Sequence, residues 1–160
     1  MEITIEWQAP IQLTRNQKII VDADALPHKL QQRTGIYYFA LKFGKKHVPF
    51  YVGESINIRK RLEQHLRSKK IADVLRANGD ALGDIKNGTR YFHYGYLKPK
   101  QGQKAKNCAM IVQRHMIRQA VANGISMLNK KLTTYSTHRI VFDGSRDSFS
   151  SYERRVEVEA

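Results

Sequence analysis

The stretch from Gly35 to Lys70 constrains the fold more than any other, because its hydrophobic period changes once and sharply. Gly35-Ile36-Tyr37-Tyr38-Phe39-Ala40-Leu41-Lys42-Phe43 is dense in aromatic and branched residues, the composition of a strand. Gly44-Lys45-Lys46-His47 supplies a turn, and Val48-Pro49-Phe50-Tyr51-Val52-Gly53 reads as the returning strand. The sequence thus predicts a β-hairpin with a four- or five-residue loop. Pro49 cannot donate to a ladder, which puts the start of its strand at an edge or before pairing begins. From residue 56 to 70 the spacing becomes helical. Ile58, Leu62, His65 and Leu66 recur on one side, with Ser55 or Asn57 placed to cap the start.

On either side of this block the signals are shorter. The alternation of Ile3, Ile5 and Trp7 predicts a first strand, and Asp22, Asp24 and Pro27 mark a cap or turn leading into a short helix or loop over 22–33. Residues 71–78 read as a second short helix, ended by Gly79. Tyr91, His93 and Gly95 alternate with Phe92, Tyr94 and Tyr96, giving a third core strand. A basic loop over 98–104 precedes a helix capped by Asn107 and running to about Asn123, with Gly124 at the left-handed C-terminal position. Residues 138–142 look like a late strand, and the polar tail from Ser145 is expected to be loose. The expected fold is α+β, in α/β/α layers, on a small, mostly antiparallel, three-stranded core sheet flanked by helices. Its expected divisions are an N-terminal extension (1–34), a core domain (35–143) and a tail (144–160).

The charge balance points to a partner. Lys and Arg number 28 against 14 Asp and Glu, a formal net charge of +14 and a pI near 10.0. An excess of that size repels itself in a folded chain and is kept where a polyanion or anionic surface is the partner. The single cysteine, Cys108, excludes an internal disulfide and a cysteine zinc site. No apolar run approaches the roughly 20 residues that span a bilayer. Met1 to Trp7 alternates instead of forming a signal's apolar core, so a reducing, cytoplasmic setting is expected.

Gly35-Ile36-Tyr37, then Tyr51-Val52-Gly53, then Arg61 and His65, on a strand–turn–strand–helix frame, resemble the defining elements of the GIY-YIG nuclease family. Arg61 lies ten residues after Tyr51 and His65 fourteen after it, and the likeness runs over residues 35–129, 95 of the 160. Val52 replaces the isoleucine typical of the second motif, a conservative departure. The resemblance implies the GIY-YIG nuclease fold and phosphodiester hydrolysis with one divalent metal, Mg²⁺ or Mn²⁺. By position it makes Tyr37, Tyr51, Arg61, His65 and Gln113 catalytic, the last at the metal-ligand position. The tyrosine matching Tyr37 is held near the attacking water, and the one matching Tyr51 helps to orient it.

The chemistry asks for such residues independently. Phosphodiester hydrolysis needs an activated water, positive charge on the phosphoryl oxygens and a stabilised leaving oxygen. A phenol with a pKa near 10 is a poor base at neutral pH unless cations favour the phenolate. Arg61 is such a cation, and its planar fork pairs with phosphate. Arg61 and His65 are four apart and share a helix face. Alternation puts Tyr37 and Tyr38 on opposite faces of one strand, so one at most faces a site. Arg59, Lys60, Arg67, Lys69 and Lys70 make the same helix and its exit basic. Of these, Arg59, Lys60, Lys69 and Lys70 join Lys104, Lys106 and Asn129 as the expected nucleic-acid surface.

In the family the metal ligand is a glutamate on a later helix, three residues before a Leu-Ile pair, with a Pro-x-x-Asn-like element following. The matching stretch is Gln113-Arg114-His115-Met116-Ile117, then Ser126-Met127-Leu128-Asn129, so Gln113 occupies the ligand position. Helical spacing sets this amide beside Met110, Ile117, Ala120 and Val121, on an apolar face. A hard divalent cation prefers at least one carboxylate oxygen, and Gln keeps the shape but loses the charge. No acid stands in nearby: between Asp84 and Asp143 there are eleven Lys or Arg and no Asp or Glu. Either an active nuclease has become a binder or the residue was changed to trap an inactive complex. With every other element intact, the second is favoured.

The expectation is a DNA endonuclease of restriction or phage type, acting on double-stranded DNA with RNA left open. Cutting both strands calls for a homodimer or sequential nicking. The alternative is a non-catalytic nucleic-acid-binding protein of the same descent.

Overall fold

The computed structural model describes residues 1–75, 88–129 and 137–159, and the chain divides into two compact units, Met1–Asn129 and Lys130–Ala160. In the first unit the strands are β1 (Thr4–Trp7), β2 (Ile11–Gln12), β3 (Thr14–Arg15), β4 (Lys18–Ile19), β5 (Gly35–Phe43), β6 (Lys46–Ser55) and β7 (Thr89–Lys98). The helices are α1 (Ile58–Arg67), α2 (Lys69–Leu75) and α3 (Ala105–Ala122). The architecture is α+β on an antiparallel sheet.

The aromatic strand β5 is central, paired with β6 on one side and β7 on the other. Both β1 and β2 then pair with the far edge of β7, so the sheet has five strands where the sequence predicts three. The added pair forms one interrupted edge, broken around Pro10, which has no N–H to give a ladder. β5 and β6 join through Gly44 and Lys45 alone, because Lys46 and His47 enter the ladder opposite Phe43 and Lys42. Gly44 has φ +58° and Lys45 has a negative φ, the pattern of a type II′ turn, so the predicted longer loop is absent. Pro49 pairs with Ala40 at a register shift that leaves Phe50 as an extra residue, and β6 is an outer strand, where a missing N–H is tolerated.

α1 starts at Asn57, whose Oδ1 accepts the Lys60 N–H at 3.0 Å. Ile58 and Leu62 of α1, with Ile71, Val74 and Leu75 of α2, join Tyr37, Phe39, Phe50 and Phe92 in one buried cluster. α3 contacts β6, β5 and β7, and its buried Cys108, Ala109, Ile117 and Ala120 stand outside that cluster. So do Ile36, Ala40 and Val52, which alternate with the cluster's strand residues. The helices are thereby shared between the two faces of the sheet. α3 begins two residues ahead of the predicted cap: Lys104 holds that position with no side-chain capping bond, and Asn107 lies in the first turn. Asn123 and Gly124, with φ +75°, end it as expected.

Residues 22–33 take the loop alternative. The Asp24 N–H donates to Asp22 Oδ1 at 2.8 Å and the Leu30 N–H to the Pro27 carbonyl at 3.1 Å. A small hairpin that no sequence signal announced joins β3 to β4 through Asn16 and Gln17, both with positive φ (51° and 63°). The predicted end of the second helix, with Gly79, lies outside the described residues.

The second unit pairs β8 (Thr137–Val141) with β9 (Arg155–Glu159) antiparallel, with a 3-10 turn at Arg146–Phe149 between them. The expected loose tail is therefore partly a strand, and its signal was the alternation Arg155-Val156-Glu157-Val158-Glu159. The two units divide in sequence at 129/130, and β1 and β2 belong to the main sheet. Among the described residues no helix is long and apolar enough to cross a membrane.

Candidate functional site

Tyr37 reaches its neighbours because of Gly53. The two pair across β5 and β6, and a Cβ at Gly53 would stand 2.3 Å from both Cζ and Oη of Tyr37. The phenol thus crosses β6 at a residue without a side chain and arrives at α1, where its hydroxyl meets His65 Nε2 at 2.6 Å. The Tyr51 ring lies nearly parallel to that of Tyr37, with centroids 6.3 Å apart, and sits 5.2 Å from the His65 ring. Arg61, one turn before His65 on α1, lies close enough to bias the titration of both Tyr37 and His65. Tyr37, Tyr51, Arg61 and His65, four of the five residues expected to be catalytic, are brought together on one face of the sheet.

Their electrostatics differ from expectation. Tyr37 is 1% exposed, and burial holds its hydroxyl well above the ordinary phenol range; Tyr51 adds to the shift and Arg61 opposes it. The cation expected to favour a phenolate is present, but desolvation of the anion outweighs it. Burial, then Arg61, pushes His65 down to about 4. At neutral pH the pair is therefore a phenol and a neutral imidazole, and the phenol donates to Nε2 when the ring proton sits on Nδ1. Tyr51 and Arg61 are both half-buried and form the outward part of the cluster. Beside Arg61 runs a cleft of ≈ 300 Å³ lined by Ser55, Ile56, Asn57, Lys60 and Gln64.

Gln113 and Asn129 meet one residue away, on the backbone of Val52. The Val52 N–H donates to Asn129 Oδ1 at 3.4 Å, and Asn129 Nδ2 donates back to the Val52 carbonyl. The amide thus stands in for one residue of a neighbouring strand, directly after Leu128, whose N–H donates to the Phe50 carbonyl at 2.7 Å. Gln113 Nε2 donates to the same Val52 carbonyl at 3.2 Å. For a cation, Gln113 offers one neutral oxygen. Among the described residues no group of three or more His, Cys, Asp or Glu could hold a metal ion. Among the described residues, the side chains that meet at Val52 offer no carboxylate oxygen, which a hard divalent cation asks for.

The basic residues divide into two kinds. Arg59, expected at a nucleic-acid surface, is tied to the protein's own backbone. Its Nη1 donates to the carbonyls of Pro27 and Leu30 at 2.8 and 2.9 Å, and its Nη2 to that of Leu26 at 3.2 Å. Arg67 pairs with Asp24, and with Glu63 at 3.3 Å. Lys60, Lys69, Lys104 and Lys106 are exposed, while the side chain of Lys70 lies outside the described residues. Sequence reasoning missed the Arg59 anchor and the role of the Val52 carbonyl, because no residue pattern marks a backbone acceptor. Set against protein-family models, curated proteins and solved structures, the chain finds no match.

Proposed function

We propose that the chain is a DNA endonuclease of the GIY-YIG class held inactive at Gln113, so that as it stands it binds duplex DNA without cutting it. The observation that carries this reading is the 2.6 Å bond between Tyr37 and His65, set with Tyr51 and Arg61 beside a cleft. A sheet that needed only an apolar core has no use for a polar line reaching from its central strand to a basic helix. In this reading Arg61 pairs with the phosphate in the cleft and Tyr51 orients the attacking water. The water's proton passes to Tyr37 Oη as the phenol proton passes to His65 Nε2, which ends as an imidazolium. What is missing is negative charge at position 113. A restriction- or phage-type enzyme of the cytoplasm, acting singly or as a homodimer, fits the reading.

A second reading, a natural binding protein, is favoured by one contact: the Gln113 amide donates to Val52, which an ionised glutamate could not do. Nicking of supercoiled plasmid separates the two, comparing the chain with its Gln113→Glu form in Mg²⁺ or Mn²⁺, with and without EDTA. The expected result is metal-dependent nicking by Gln113→Glu alone, with duplex binding by both. A Gln113→Glu form that is folded, binds DNA and never nicks would leave the binding protein as the correct reading.

A further inference from the structure

The face of the sheet opposite Tyr37 carries an aromatic ladder that the site above does not use. Strand alternation sets Trp7 of β1, Tyr38 of β5, Tyr91 and His93 of β7 and His47 of β6 along it. His93 stacks on Tyr38 with centroids 4.4 Å apart and planes 4° from parallel, and Trp7 meets Tyr38 edge-on at 5.7 Å. A 2.9 Å hydrogen bond joins His93 Nε2 to His47 Nδ1, the His47 ring meets Tyr91 at 5.0 Å, and Lys42 Nζ stands 5.7 Å over Tyr91. Here Tyr38, His93, His47 and Tyr91 are half-buried and Trp7 is 44% exposed. Gly95 makes room for the indole: a Cβ there would stand 3.0 Å from Trp7 Cδ2, so the ring rests on the strand with much of it in solvent. Burial, then His47, lowers His93 to about 4, so its ring is uncharged at neutral pH.

In a chain of net charge +14, a row of partly exposed aromatic rings with a cation at one end suits a ligand that has both flat π faces and phosphates. A base-paired duplex keeps its faces stacked on one another, whereas a single strand offers them. We propose that this ladder is a second nucleic-acid surface, on the sheet face away from the Tyr37 cluster, which stacks unpaired bases of a single-stranded segment. The inference rests on nucleic acid being the partner, and it does not depend on cleavage.

Trp7 is the chain's only tryptophan, so its fluorescence reports this surface alone. The full chain is titrated, in EDTA, with a labelled oligothymidylate of about 12 nucleotides, following Trp7 emission and oligonucleotide anisotropy together. The expected result is quenching of Trp7 with the same midpoint as the anisotropy. Trp7→Ala should weaken single-strand binding about 5- to 150-fold, Trp7→Phe should restore most of it, and duplex affinity should not move. Quenching in the unaltered chain stands whether or not a variant folds. Single-strand binding without quenching, or unchanged by Trp7→Ala, overturns the ladder and leaves the nucleic-acid partner intact. Binding of neither strand form overturns both.

Discussion

Acidification should loosen this protein through His65 before its carboxylates titrate. The folded chain holds His65 at about 4 against an ordinary 6.5, because charging the ring would place a cation in a buried site beside Arg61. The unfolded chain binds a proton that the folded chain refuses. The stability contributed by the neutral ring is therefore complete above pH 6.5 and is lost as pH falls from there to about 4. The whole interval corresponds to about 3 kcal/mol, of which about 2 kcal/mol is gone by pH 5. For a chain of this size that is a fall of roughly 4–8 °C in melting temperature. His93, also held near 4, titrates in the same window, so the variant must isolate His65. His65→Gln does so, since its Oε1 can accept the Tyr37 hydroxyl and it carries no titrating group. Urea denaturation at neutral pH and at about pH 5 should show the unaltered chain losing about 2 kcal/mol more than His65→Gln. Equal losses would refute the reasoning, because His65 would then not be a buried neutral partner of Tyr37.

Gly53→Ala should cost about 1–3 kcal/mol and detach Tyr37 from His65, since the new methyl would overlap a buried ring; an unchanged thermal melt would contradict this. Arg59→Ala should release the 22–33 loop, seen as faster limited proteolysis there and about 2–3 kcal/mol of lost stability, without changing DNA affinity. In a Gln113→Glu background, Arg61→Ala should lower the nicking rate about 10²–10³-fold with little loss of binding. Lys60→Ala, exposed one position away, should mainly reduce the salt slope of binding. Matched kinetic losses at both positions would mean that Arg61 belongs only to a charged patch.

The elements legible in the sequence are those in which one period dominates. β5, β6 and α1 declare themselves because Ile36 to Phe43 is strand-like without interruption and Ile58, Leu62 and Leu66 repeat at helical spacing. The grouping of Arg61 and His65 followed from the same spacing. The β3–β4 hairpin was hidden because its turn, Asn16-Gln17, uses a residue uncommon at positive φ. The second edge segment, β2, is two residues long, too short for any alternation to show. At the site, residue types were readable and their state was not. Burial of Tyr37 to 1% exposure comes from strands and helices distant in sequence, and that burial reverses the expected drift toward phenolate. Arg59 was assigned to phosphate by its neighbours in sequence, yet its partners are carbonyls of a loop about thirty positions earlier that has no period to read.

The free side of β6 is occupied at Phe50 and Val52. Leu128 takes the Phe50 carbonyl, and the Asn129 amide takes both the N–H and the C=O of Val52. A strand from another molecule arriving at Phe50 and Val52 finds these groups engaged, which works against a continuous ladder at that point. A second copy adding a strand along β6 would first have to displace Leu128 from Phe50 and Asn129 from Val52. Through its side chain, Asn129 is in this sense a cap on that rung of β6. Losing its amide would bare one rung of backbone, the kind of opening from which chain-to-chain aggregation grows.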